Sequence, residues 1–170
     1  MHTYRCRSGL SQVVSTILIV ILGVSAMALG LRLGLPLLKE KIDAKRFRDT
    51  KVIAESIQLS IEELIACGYG CTRTMRLSLP EDCLLSIGNY TIQLSIRVSK
   101  PTHGSSILRD EPHTTLAWYS RLDSYVFTIT LKEYPANCKW RFNTTNMILG
   151  RDITLIFNLQ ANYTIMVTGG

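Results

Sequence analysis

Few residues of this chain suit covalent or coordination chemistry, and their spacing narrows what that chemistry is. Of the five cysteines, Cys67 and Cys71 lie in CGYGC. This is a Cys-x-x-x-Cys spacing rather than the Cys-x-x-Cys of redox and zinc sites, and it suits a structural disulfide. Cys83 and Cys138 complete an even set, which fits an oxidising exterior. Four cysteines allow three pairings; the preferred one joins Cys67 to Cys71 and Cys83 to Cys138. Cys6 stands apart, near the N-terminus. His103 and His113 share a segment with Asp110 and Glu111, but no ligand spacing accompanies them, and His2 is isolated. That segment reads as a solvated loop, so neither a metal nor a cofactor is expected. Trp118 and Tyr119 read as strand core rather than as a sugar platform. Without a nucleophile elbow, a phosphate loop or well-placed paired carboxylates, enzyme activity is not expected. The remaining covalent signal is N-glycosylation: Asn89-Tyr90-Thr91, Asn143-Thr144-Thr145 and Asn162-Tyr163-Thr164 are all sequons.

Sequons and paired cysteines need a body outside the cell, and the N-terminal sequence offers the means to put it there. Val13 to Leu31 contains no charged residue. A helix of about 20 such residues crosses a bilayer core of roughly 30 Å. A cleaved secretory segment would be shorter and followed by a small-residue site. Here Arg32, Leu33, Gly34, Leu35 and Pro36 follow instead. Arg5 and Arg7 favour a cytoplasmic N-terminus, whereas Arg32, Lys39, Lys41, Lys45, Arg46 and Arg48 beyond the span make charge alone ambiguous. The sequons and cysteines decide it, and the body is expected outside. The net charge of +6 does not imply nucleic acid, because Glu40, Asp43 and Asp49 interleave with the basic residues; the region suits solvent or lipid headgroups.

Beyond Pro36 the pattern stays helical, with Ile53, Ile57, Ile61 and Leu64 or Ile65 on one stripe and Lys51, Glu55, Gln58 and Glu62 on the other side. Gly68 supplies the stop. The helix is expected from about Leu10 to Ala66, kinked near Pro36. From Thr72 the period becomes two. Tyr90, Ile92, Leu94, Ile96 and Val98 share a face, as do Tyr125, Phe127, Ile129 and Leu131, and Ile153, Leu155, Phe157 and Leu159. Met75 to Leu79, Cys83 to Ile87, Leu116 to Tyr119 and Tyr163 to Thr168 are further strands, and Lys100 to Thr115 is the longest loop. The fold class is therefore α+β: a long kinked helix, then an antiparallel β-sandwich head.

Arg7-Ser8-Gly9 followed by Leu-Ser-x-Val-Val-x-Thr, heading one long helix that carries a β domain, resembles the archaeal type IV pilins and archaellins, which bear class III signal peptides. The motif covers about 25 residues, and the β domain matches in architecture alone. Family members commonly place Lys or Arg directly before the glycine, where this chain has Ser8. Val14 stands where bacterial pilins carry a glutamate, which fits the archaeal kind. The resemblance implies cleavage between Gly9 and Leu10, a signal peptide over 1–9, a filament-core helix over 10–35, a stalk helix over 36–67 and an extracellular head over 68–170. It implies a structural filament subunit, with adhesion as a second role. Its partners would be identical or related pilin subunits, the signal peptidase, a pilus assembly membrane protein with its ATPase, and membrane lipid before assembly; nucleic acid is not expected. The small residues Gly23, Ala26, Gly30 and Gly34, with Val13, Val14 and Ile17, form the candidate assembly interface, because helices in lipid associate through close packing. A single-span surface receptor with a β-sandwich head is the alternative.

Overall fold

The computed structural model describes residues 7–99, 104–132, 141–145, 152–161 and 163–169, with side chains from residue 12 onward, that of Thr145 excepted. The chain divides into two compact units, Met1–Lys41 and Ile42–Gly170. Among the described residues, one long helix, α1 (Arg7–Cys67), precedes nine strands: β1 (Thr72–Ser78), β2 (Cys83–Ile87), β3 (Thr91–Arg97), β4 (Ser105–Asp110), β5 (Thr114–Ser120), β6 (Ser124–Leu131), β7 (Arg141–Thr145), β8 (Asp152–Gln160) and β9 (Thr164–Gly169). The fold class is α+β.

Helix α1 stays helical through Pro36, although that residue brings no N–H to the ladder. It ends where the sequence supplies glycine. Gly68 adopts φ +93°, and its N–H reaches the carbonyls of Leu64 (3.3 Å) and Ile65 (3.2 Å). Those are helix-end carbonyls that would otherwise lack a partner, and a side chain at this left-handed position would be strained.

The strands form two sheets. One has the order β2-β3-β6-β5-β4 and is antiparallel throughout; the other has the order β1-β8-β9-β7. The second sheet is mixed, because β7 runs parallel to β9. The expectation of a wholly antiparallel arrangement is thus corrected. Two strands also lie where alternation gave no signal. The stretch read as one loop over 100–115 contains β4, an exposed edge strand with a bulge between Ile107 and Arg109. A bulge breaks period two, and an edge strand needs no buried face. The short β7 sits at the other sheet's edge and is rich in polar residues.

Elsewhere period-two alternation matches burial. Ile92, Leu94, Ile96 and Val98 are buried, as are Tyr125, Phe127, Ile129, Leu131, Ile153, Leu155, Phe157 and Leu159. Tyr90, placed on the same face by spacing, is exposed in the turn before β3. From α1, Ala54, Ile57, Ile61 and Leu64 enter the same core cluster as residues of both sheets. Phe47 extends it, its ring packing edge-on to Trp118 (5.3 Å) and Tyr125 (5.0 Å) and tilted to Phe127 (5.1 Å). Rings in such geometries contribute beyond their buried area.

Candidate functional site

Over 13–31 the N-terminal part of α1 carries no charge, and its large apolar side chains are exposed. Val13, Val14 and Ile17 are exposed, as are the leucines, isoleucines and valines that follow as far as Leu38, and Met27 reaches 75%. A Cβ added at Gly23, Gly30 or Gly34 would meet nothing within 4 Å. Among the described residues, one helix is long and apolar enough to cross a membrane, and it lies near the N-terminus. Within it the Thr16 hydroxyl donates to the Gln12 carbonyl at 2.9 Å, which satisfies that side chain without water. With about 3.6 residues per turn, Gly23, Ala26, Gly30 and Gly34 share one face of α1. Val14 and Ile17 fall on the opposite side by the same geometry, so the candidate interface residues do not form a single stripe. Gly9 and Leu10 lie inside the helical stretch, and their side chains fall outside the described residues.

From Ile42 on, the helix is tied to the strands by polar contacts as well as by its apolar stripe. Asp43 Oδ2 accepts from the Ser99 N–H at 2.9 Å. Arg46 approaches Glu81 (3.9 Å) and Asp82 (3.6 Å), a half-exposed arrangement in which each pair contributes little. Deeper in, Gln58 is fully buried, which corrects its placement on the polar side. Its Nε2 donates to Thr114 Oγ1 at 3.1 Å; the Thr114 hydroxyl donates to Glu62 Oε1 at 2.6 Å, and the His113 N–H to that same oxygen at 3.1 Å. Period alone could not find this, because a glutamine facing solvent and one facing a buried threonine look alike in sequence. His113 is therefore half-buried beside the helix, while His103 lies outside the described residues. Among the described residues, no cluster of three or more His, Cys, Asp or Glu could hold a metal ion. Asp110 instead pairs with Lys132 (2.6 Å) and accepts from the Thr115 hydroxyl; first the lysine and then that hydroxyl hold its carboxyl below the usual range.

Cys67 and Cys71 form a disulfide, with Cα atoms 6.2 Å apart. It brackets the turn in which Gly70 adopts φ +83°. The Gly70 N–H donates to the Leu159 carbonyl (2.8 Å), and the Leu159 N–H to the Cys71 carbonyl (3.0 Å), so the turn is fixed on β8. Cys83 carries a free thiol, and Cys138 lies outside the described residues. Burial pushes the Cys83 thiol up to about 11, partly offset by the Thr50 hydroxyl beside it.

Of the sequons, Asn89 is exposed in the turn between β2 and β3, and Asn143 is exposed on β7. Asn162 lies outside the described residues. Its hydroxyl partner Thr164 is only 7% exposed and accepts from Arg141 Nε at 3.1 Å. Comparison with known proteins gives no match: no family model fits the chain, and no curated protein or solved structure is significantly similar to it.

Proposed function

We propose that this chain is a structural subunit of an archaeal cell-surface filament of the type IV pilin kind, polymerising through the N-terminal part of α1. The observation that carries the reading is the helix itself. It is continuous from Arg7 to Cys67, charge-free and exposed over 13–31, and amphipathic with a buried stripe over 54–64. A soluble protein does not leave so long an apolar surface uncovered. Lipid accommodates it before assembly, and other copies accommodate it afterwards. A repeating contact whose rotation does not close on itself yields an open helical filament. In this reading a signal peptidase cuts between Gly9 and Leu10, a membrane assembly protein and its ATPase drive insertion into the filament, and residues 42–170 lie outside. The two sheets close face to face as a β-sandwich, which the shared core cluster of their buried residues supports. The subunit has a structural rather than an enzymatic role.

The test is the N-terminus of surface material. Filaments sheared from cells whose only pilin is this chain are expected to yield a protein beginning at Leu10 by mass spectrometry. Intact Met1 in assembled protein, or surface protein without filaments, would overturn the reading in favour of a plain membrane anchor.

A further inference from the structure

Two sequons that are 54 residues apart in sequence (143 − 89) meet in space. The Phe142 N–H donates to the Asn89 carbonyl at 2.7 Å, tying the β2–β3 turn of one sheet to edge strand β7 of the other. Asn143 is the next residue along, so standard backbone dimensions place the two asparagine Cα atoms within about 10 Å of each other. Both asparagines are presented outward by local structure. The Gly88 N–H donates to the Thr91 carbonyl at 2.7 Å and closes the hairpin turn, leaving Asn89 and Tyr90 exposed. Phe142 is buried, and alternation along β7 therefore turns Asn143 out. The turn cannot swing away, because the Tyr90 carbonyl also accepts from the Leu131 N–H at 2.9 Å.

We infer that Asn89 and Asn143 together form one paired N-glycan attachment seam. Two glycans rooted this close cover the junction of the two sheets, so this side of the head stays in solvent and contacts between heads use other surfaces. The transfer joins the asparagine carboxamide nitrogen to the anomeric carbon of an oligosaccharide carried on a lipid phosphate. The anomeric C–O bond to the phosphate breaks, the lipid phosphate leaves with the electron pair, and the nitrogen gives up one proton to the transferase and then to solvent. The inference rests on the reading that residues 42–170 are exported.

The experiment uses the full-length chain in a cell whose N-glycosylation pathway is verified on a co-expressed reporter glycoprotein. A second version carries Leu122→Asn, which creates a sequon with Asp123 and Ser124 at a turn position that is 94% exposed. Glycopeptide mapping is expected to find glycan on both Asn89 and Asn143. Asn89→Gln and Asn143→Gln should each remove one glycan mass and leave the other. Glycan on the Leu122→Asn control with either Asn89 or Asn143 bare overturns the paired seam while leaving export intact. No glycan on Asn89, Asn143 or the Leu122→Asn control, alongside a modified reporter, overturns export, and this inference with it.

Discussion

Residues 12–41 and 42–67 belong to one helix, yet they meet opposite fates. In the first stretch the large apolar side chains are exposed; in the second, Ile57, Ile61 and Leu64 are 0% exposed. Apolar content separates the two only in part: Ile, Leu and Val make up 15 of the 30 residues in the first stretch and 8 of the 26 in the second. The difference lies in how the polar residues are arranged. The second stretch places charges around a stripe, so one face can be buried by this chain's own strands while the other stays wet. The first has no charged residue over 13–31, so no polar face marks one side for burial, and its described large apolar side chains stay exposed. The second stretch finds its cover in the strands that follow it.

That contrast can be broken by substitutions that should act on one stretch and not the other. The largest effect is expected from Gly30→Leu. On the proposed filament reading, in cells with no other filament subunit, filaments should be lost on imaging while membrane insertion persists and the thermal unfolding of residues 42–170 is unmoved. Normal filaments from this variant would remove the small-residue face from the assembly interface. Next comes Ile61→Ala, which should cost the head about 2–5 kcal/mol through lost burial and a cavity. Ile21→Ala, its matched partner in the exposed stretch, should leave unfolding of the detergent-solubilised protein unchanged. Equal effects from the two would mean that the stretches are not distinct.

A smaller loss, about 1–3 kcal/mol, is expected from Thr114→Val, which leaves Gln58 Nε2 only its longer bond to the Thr114 carbonyl (3.4 Å) and removes a donor to Glu62. Denaturant midpoints would measure it, and an unchanged midpoint would show that the buried polar contacts contribute nothing net. Smallest is a chemical signature in the second unit. Because burial raises Cys83 to about 11 from its ordinary 9.0, the neutral thiol is favoured in the fold. That contribution is fully present below about pH 9 and is lost as pH rises through about 11. At pH 8 without reductant, iodoacetamide should modify Cys83 roughly 10–100-fold more slowly in the native chain than in urea. Failure to modify it even in urea would show that Cys83 is paired, as the expected bridge to Cys138 requires.

Periodicity recovered what is periodic. The apolar span, the stripe through Ile57, Ile61 and Leu64, and strands β2, β3, β6 and β8 were legible because burial on one face leaves a pattern of 3.6 or 2. Strands β4 and β7 were not, since β4 carries a bulge and no buried residue and β7 has Phe142 as its one buried side chain among the described residues, so each owes its place mainly to backbone pairing. The parallel pairing of β7 with β9 is invisible for the same reason, because direction leaves no mark on composition. Gln58 was misplaced because its buried hydrogen-bond partner, Thr114, is 56 residues away. The proximity of the two sequons is likewise a tertiary fact, set by one hydrogen bond between distant segments. CGYGC was legible as a local bridge because four residues of separation already bring the two cysteines within reach.

The bridged turn between α1 and β1 also has a mechanical meaning. A tension applied at the C-terminal end of the helix enters the strands at Cys71, and the Cys67–Cys71 bridge offers a covalent bypass around the two glycines, where the backbone would otherwise stretch first. Beyond the bypass, β1 lies antiparallel along β8 from Thr72 opposite Asn158 to Ser78 opposite Asp152, and the Asn158 side chain donates to Thr72 Oγ1 at 2.7 Å at the point of entry. Force directed along β1 therefore loads that ladder in shear, with its hydrogen bonds resisting together rather than opening one by one.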